Sequence, residues 1–278
     1  MKNILIPTDF SNNSWSALEY ATKLFKDTPC NFFIIHIGKL NQSGVQSNSF
    51  SLIPESPSTL VKEKLSGLSI QMKEIRTNQK HKFTILQEYG NLIDVIRRTI
   101  DDKNVDLIVM GTKGASGIKK VVVGSNTGDV ITKIACNLLV IPEKANYSET
   151  KEIALPTDYT IFYSHSILEA ISEILKISKA NLNIINFSKF KDHTNLFQKQ
   201  NKTYLKDYLE EIFEKSHSFH TITDKKVNTV IEEFSENGNM DMVIMVAKNL
   251  NFIQQLLFDS AVEKLSFHTK VPLLVLHE

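Results

Sequence analysis

The chain repeats itself once. KNILIPTDF at residues 2–10 returns as KEIALPTDY at 151–159, and residues 106–143 align without a gap onto 241–278. Within that block Met110 matches Met245, Lys113 matches Lys248, Ser125 matches Ser260, and Leu138-Leu139-Val140 matches Leu273-Leu274-Val275. One short motif can recur by chance, but matches at both ends of each half, in the same order, point to duplication. The length, 278 residues, suits two units of roughly 140. The polar stretch 144–150 is the natural boundary, giving units 1–143 and 144–278. Any fold for this chain must therefore be built twice.

Each half alternates strand-like and helix-like patterns. In the first half the apolar runs at 3–7, 31–37, 81–87, 105–110 and 138–141 read as strands. Helical spacing occupies 14–26, 60–76, 92–101 and 126–134. The second half repeats the order, with strands near 152–156, 181–187, 218–223, 241–246 and 272–276. A further amphipathic helix is expected at 203–216, with Leu205, Tyr208, Leu209, Ile212 and Phe213 on one side. Strands separated by helices predict an α/β chain of two tandem, open, twisted, parallel five-stranded sheets with helices on both faces. Ligands of such sheets lie beyond the C-terminal strand ends, near a reversal of strand order.

The glycines fall at that end. Five of the ten, Gly111, Gly114, Gly117, Gly124 and Gly128, lie in one stretch after the fourth strand. The stretch runs into Ser125-Asn126-Thr127, read as a helix start. Glycine lets backbone turn tightly and approach a ligand closely. A helix N-terminus offers unpaired N–H groups and partial positive charge. Together they describe a backbone cradle for phosphate. It is neither a Walker A loop nor a G-x-G-x-x-G dinucleotide loop, because both spacings are absent.

Gly111-x-x-Gly114, nine residues, then Gly124-Ser125, resembles the ATP-binding signature of the universal stress protein family. PTDFS at 7–11, IIHI at 34–37 and LLVIP at 138–142 resemble that family's first, second and closing strands. The resemblance covers the whole chain as two tandem domains and implies a Rossmann-like fold of the adenine nucleotide alpha hydrolase kind. It implies ATP with Mg²⁺ held mostly by phosphates and water. By position, Pro7, Thr8 and Asp9 would lie at the adenine and ribose side, with Asp9 hydrogen bonding there. Ile37 would lie against adenine. Met110 and Gly111, with Gly114, would let backbone approach ribose and phosphates, and Lys113 takes a commonly basic position. Gly124, Ser125, Asn126 and Thr127 would hold phosphates through N–H and hydroxyl groups. Family domains commonly pair through their last strands, here 138–141 and 273–276, so a tandem chain could pair internally as a pseudo-dimer; a homodimer is the other arrangement.

Plainer readings stand beside these. Asp9 or Ser11 could simply cap the first helix, and glycine turns often serve geometry alone. Lys119 and Lys120 read as a solvated face, and His36 as a satisfied core histidine. The Ser-, Asn- and Pro-rich stretch 41–59 reads as a surface insertion, or a lid. The second half has Val246, Asn249 and Asp259 where the first has Gly111, Gly114 and Gly124. Two of these add bulk and one adds charge repulsion, so only the first half is expected to bind ATP.

Composition excludes other classes. Net charge of +1 and scattered basic residues predict neither nucleic-acid nor membrane-surface binding. No apolar run reaches the ~18 residues of a membrane span, and the N-terminus reads as a strand rather than a signal peptide. Cys30 and Cys136 lack metal or redox spacing and are expected to be reduced core thiols of a cytoplasmic protein. No catalytic residue is evident. The favoured reading is a stress-response sensor or regulator with an unknown protein partner. The alternatives are a slow ATP hydrolase and a scaffold that binds no nucleotide.

Overall fold

The computed structural model describes residues 1–38, 40–41, 53–54, 59–75, 78–112, 125–143, 145, 147–188, 195–213, 216–223, 230, 240–248, 258–259, 264–265 and 271–278. In the first half β1 (Lys2–Pro7), α1 (Asn12–Leu24), β2 (Cys30–Gly38), β3 (Leu40–Asn41), β4 (Ile53–Pro54), α2 (Thr59–Glu74), β5 (Lys82–Tyr89), α3 (Leu92–Lys103), β6 (Leu107–Gly111), α4 (Ser125–Lys133) and β7 (Leu138–Ile141) follow in order. The second contains β8 (Glu152–Thr157), α5 (His165–Ser178), β9 (Asn181–Ser188), α6 (Leu196–Phe213), β10 (His217–Thr223), β11 (Met242–Val246), β12 (Phe258–Asp259), β13 (Lys264–Leu265) and β14 (Leu273–Leu276).

Ten strands form one sheet in the order β10-β9-β8-β11-β14-β7-β6-β1-β2-β5. Pairing is parallel within each half. At the centre β7 and β14 pair antiparallel, Leu273 opposite Val140 and Leu274 opposite Leu139. The two expected five-stranded sheets are thus present but continuous. The reason lies in these strands: LLVI and LLVL are apolar on both faces and buried throughout, and each would otherwise be an open sheet edge.

Alternation along the strands feeds two cores. Ile4 and Ile6 point to one face, which α1, α2, α5 and α6 cover through Leu18, Leu68, Ile167 and Leu205. Leu5 points to the other, which α3 and α4 cover through Ile96 and Val130. Helix ends follow local chemistry. Asn91 caps α3 by accepting from Ile93 N–H, and Asn104 ends it with φ of 48°, a conformation asparagine tolerates. Helix α6 starts well before the expected 203, because Gln198 and Asn195 cap each other reciprocally, side chain to backbone N–H, at 2.8 and 3.0 Å. Most of the insertion at 41–59 lies outside the described residues.

The two halves repeat several backbone hydrogen bonds. Asp106 N–H donates to the Asn3 carbonyl at 2.9 Å, and its counterpart Asp241 N–H to the Glu152 carbonyl at 2.8 Å. Each carboxylate returns the bond, Asp106 Oδ2 accepting from Asn3 N–H and Asp241 Oδ2 from Glu152 N–H. Thr112 N–H donates to Ile141 as Ala247 N–H does to Leu276. The halves differ downstream. Lys264–Leu265, aligned with Asp129–Val130 of α4, is extended and pairs with Phe258–Asp259. The register sets Phe258 opposite Leu265 and Asp259 opposite Lys264.

Both cysteines are free and buried, and burial pushes each thiol up to about 12. His277 follows β14 with Nε2 buried and unpartnered among the described residues. Burial holds its imidazole below the usual histidine value of 6.5. The unfolded ring takes up its proton more readily, so this group's stability contribution is present above that value and lost as pH falls through it. We expect the denaturation midpoint to drop between about pH 7.5 and 5.5, and to drop less in His277→Leu. Equal slopes in the two proteins would refute the assignment.

Candidate functional site

Strand order reverses between β1 and β6, the neighbours that send the chain to opposite sides of the sheet. Beyond Pro7 the chain turns sharply. Thr8 Oγ1 accepts from Phe10 N–H at 3.1 Å, and Asp9 Oδ1 from Ser11 N–H at 3.0 Å. The turn holds Phe10 at φ of 64°, uncommon for a bulky residue and dependent on such local bonds. Ser11 caps α1, accepting from Ser14 N–H at 3.2 Å. Asp9 is therefore a turn former two residues ahead of the cap.

Gly111 closes β6 on the other side of the reversal. A Cβ there would lie 2.6 Å from Asn13 Cγ, so glycine is what lets the start of α1 sit against β6. Thr127 Oγ1 donates to the Gly111 carbonyl at 2.8 Å, tying α4 to the strand. The Thr127 side chain is thus committed to backbone, which departs from its expected role toward phosphate; its N–H remains part of the first turn of α4. Ser125 and Asn126 are exposed at that helix start, where N–H groups have no partner within the helix and the dipole is positive.

Pro7, Thr8, Asp9, Ile37, Met110, Gly111, Ser125, Asn126 and Thr127 line one cleft. These are nine of the residues picked from sequence. The other three, Lys113, Gly114 and Gly124, lie outside the described residues. Ser14, Ile35 and Leu92 line the cleft as well and escaped the sequence reading, and so does His36, read from sequence as a core histidine. His36 is half-buried, with Nδ1 3.0 Å from the Thr8 carbonyl and its ring 4.5 Å from that of Phe10. A polar residue interrupting FFIIHI at the ligand end was the available signal. Leu92, the first residue of α3, had none beyond its place after a strand. One wall is thus apolar, from Ile37, Leu92 and Met110, and the opposite end is a helix N-terminus. The chemistry suits a flat apolar ring joined to an anion. Among the described residues no cluster of three metal-ligating side chains occurs, so a divalent cation would rely on the anion and water.

The sequence profile of the universal stress protein family matches residues 1–142. The chain belongs to that family. A universal stress protein of Methanocaldococcus jannaschii is 29% identical over 142 residues, half of this chain and 81% of its own. Universal stress protein YxiE of Bacillus subtilis is 28% identical over 145 residues, again half of this chain and 97% of its own. A universal stress protein from Archaeoglobus fulgidus shares the fold over 99% of this chain and 96% of its own, with a TM-score of 0.67 at 18% identity.

In the second half of this universal stress protein the first turn is kept. Thr157 Oγ1 accepts from Tyr159 N–H at 2.9 Å and Asp158 Oδ1 from Thr160 N–H at 3.0 Å, with Tyr159 at φ of 57°. Where Gly111 stands, Val246 is buried. Asp259 and Lys264, which align with Gly124 and Asp129, are opposed residues of two paired strands. Among the described residues no helix is long and apolar enough to cross a membrane.

Proposed function

We propose that residues 1–143 form a nucleotide-binding domain and residues 144–278 a pairing domain, and that the first binds ATP with Mg²⁺. The observation that carries this is the meeting of nine sequence-picked residues around one cleft at the strand-order reversal. The purine stacks against Ile37, Leu92 and Met110. Asp9 and the Gly111 backbone face the ribose. The triphosphate lies at the N–H groups of Ser125, Asn126 and Thr127, with Lys113, Gly114 and Gly124 completing the cradle from the adjoining loop. Mg²⁺, when bound, neutralises phosphate charge and is held by phosphates and water. Binding serves regulation rather than turnover: the nucleotide shifts the population of a surface that a protein partner reads.

Displacement of a fluorescent ATP analogue tests the reading. ATP should displace it and adenosine should do so more weakly. Gly124→Asp, which imports the carboxylate of Asp259, should weaken ATP at least tenfold through repulsion at the phosphates, while leaving adenosine nearly unchanged. Failure of ATP to displace, or equal loss for both ligands, would overturn it.

A further inference from the structure

On the opposite face of the sheet from α3 and α4, a second cavity of about 360 Å³ opens between α1 and α2. That size is within the roughly 300–1,000 Å³ of small-molecule sites. Ile6, Leu18, Ile34 and Leu68 form its apolar walls, and Trp15 and Lys64 stand among its lining residues. Lys64 is its one charged lining residue among those described; its Nζ lies 5.5 Å from the Phe10 ring centre and makes no ion pair with them. Gly67 of α2 also faces this space, and a Cβ there would meet nothing within 4 Å. Glycine is a poor helix former, and no neighbour here requires it.

The second half supplies an internal comparison. Thr8 lines the cavity with its hydroxyl 3.0 Å from Ser14 Oγ. Its counterpart Thr157 has its hydroxyl 2.6 Å from the Oη of Tyr163. Tyr163 and Tyr159 are each 1% exposed and belong to the core of that face. Tyr159 matches Phe10, which lines the cavity, so the difference is one ring: Tyr163 is buried beside Thr157 where the first half has Ser14 and open space.

We propose that this cavity is a binding site for a small apolar monocarboxylate. The apolar walls take the hydrocarbon and the Lys64 ammonium the carboxylate at the rim. The site is separate from the nucleotide cleft, although Thr8 and Ser14 line both.

The chain's single tryptophan is Trp15, so its emission reports occupancy directly. Octanoate added to the full chain should produce a saturable change, with octanol binding more weakly. Lys64→Met should weaken octanoate roughly three- to fivefold, the scale of a solvent-exposed charge pair, and leave octanol unaltered. Gly67→Leu places a side chain in open space and favours the helix, so it should fold as well as the parent and lose the response to both. No saturable change in the parent protein, or octanoate binding retained in a folded Gly67→Leu, would overturn the proposal. Equal binding of octanoate and octanol would overturn the role of Lys64.

Discussion

Gly111→Val should abolish ATP binding and lower stability together, and the two effects should be separable. The valine Cβ would meet Asn13, a buried residue, at 2.6–2.8 Å. Overpacking of this kind costs roughly 1–3 kcal/mol, seen as a fall in the denaturation midpoint. Asn13→Ala removes the clash, so Gly111→Val/Asn13→Ala should recover most of the stability. It should not recover binding, because the β-branched side chain stiffens the backbone that must approach the ligand there. The second half has already made this exchange at Val246. Recovery of binding along with stability would mean that Gly111 serves only the packing of α1.

The second large effect belongs to the seam. Leu139 and Leu274 face each other across the antiparallel β7–β14 pair, 1% and 5% exposed. Truncating either to alanine leaves a cavity in a layer covered on both faces. Leu139→Ala should cost roughly 2–5 kcal/mol. Leu139→Ala/Leu274→Ala should cost less than the sum of the singles, since the two share one contact. Because the sheet is continuous through this pair, the parent should unfold in a single transition and the double variant in two. Two transitions in the parent, or a loss under about 1 kcal/mol for Leu139→Ala, would refute a seam that unites the halves.

Much of this molecule was legible in its sequence because the strands are short, apolar and regularly spaced. The strand order within each half follows the repeat, and 138–141 and 273–276 were already strands without a polar face. The single ten-stranded sheet was less legible, since joining two edges depends on geometry that periodicity does not carry. The cleft was read mainly through residues whose backbone matters, Gly111 and Ser125-Asn126-Thr127. Side-chain commitments were not: Thr127 looked like a phosphate donor and instead holds the Gly111 carbonyl. Asp9, expected to hydrogen bond at the ribose side or else to cap α1, also forms the turn before the cap. Leu92 was missed, and His36 was read as a core histidine, because strand and helix patterns label positions as apolar or polar, not as facing a cleft. The paired strands at 258–259 and 264–265 run against the helix that alignment with α4 implies.

The central claim is that one half of a duplicated chain holds nucleotide and the other does not. Calorimetric titration of the full chain with Mg-ATP tests it most directly, because stoichiometry and affinity come from one curve. The account predicts one site per chain, lost in Gly124→Asp. Two sites per chain, or no heat of binding in the parent protein, would contradict it.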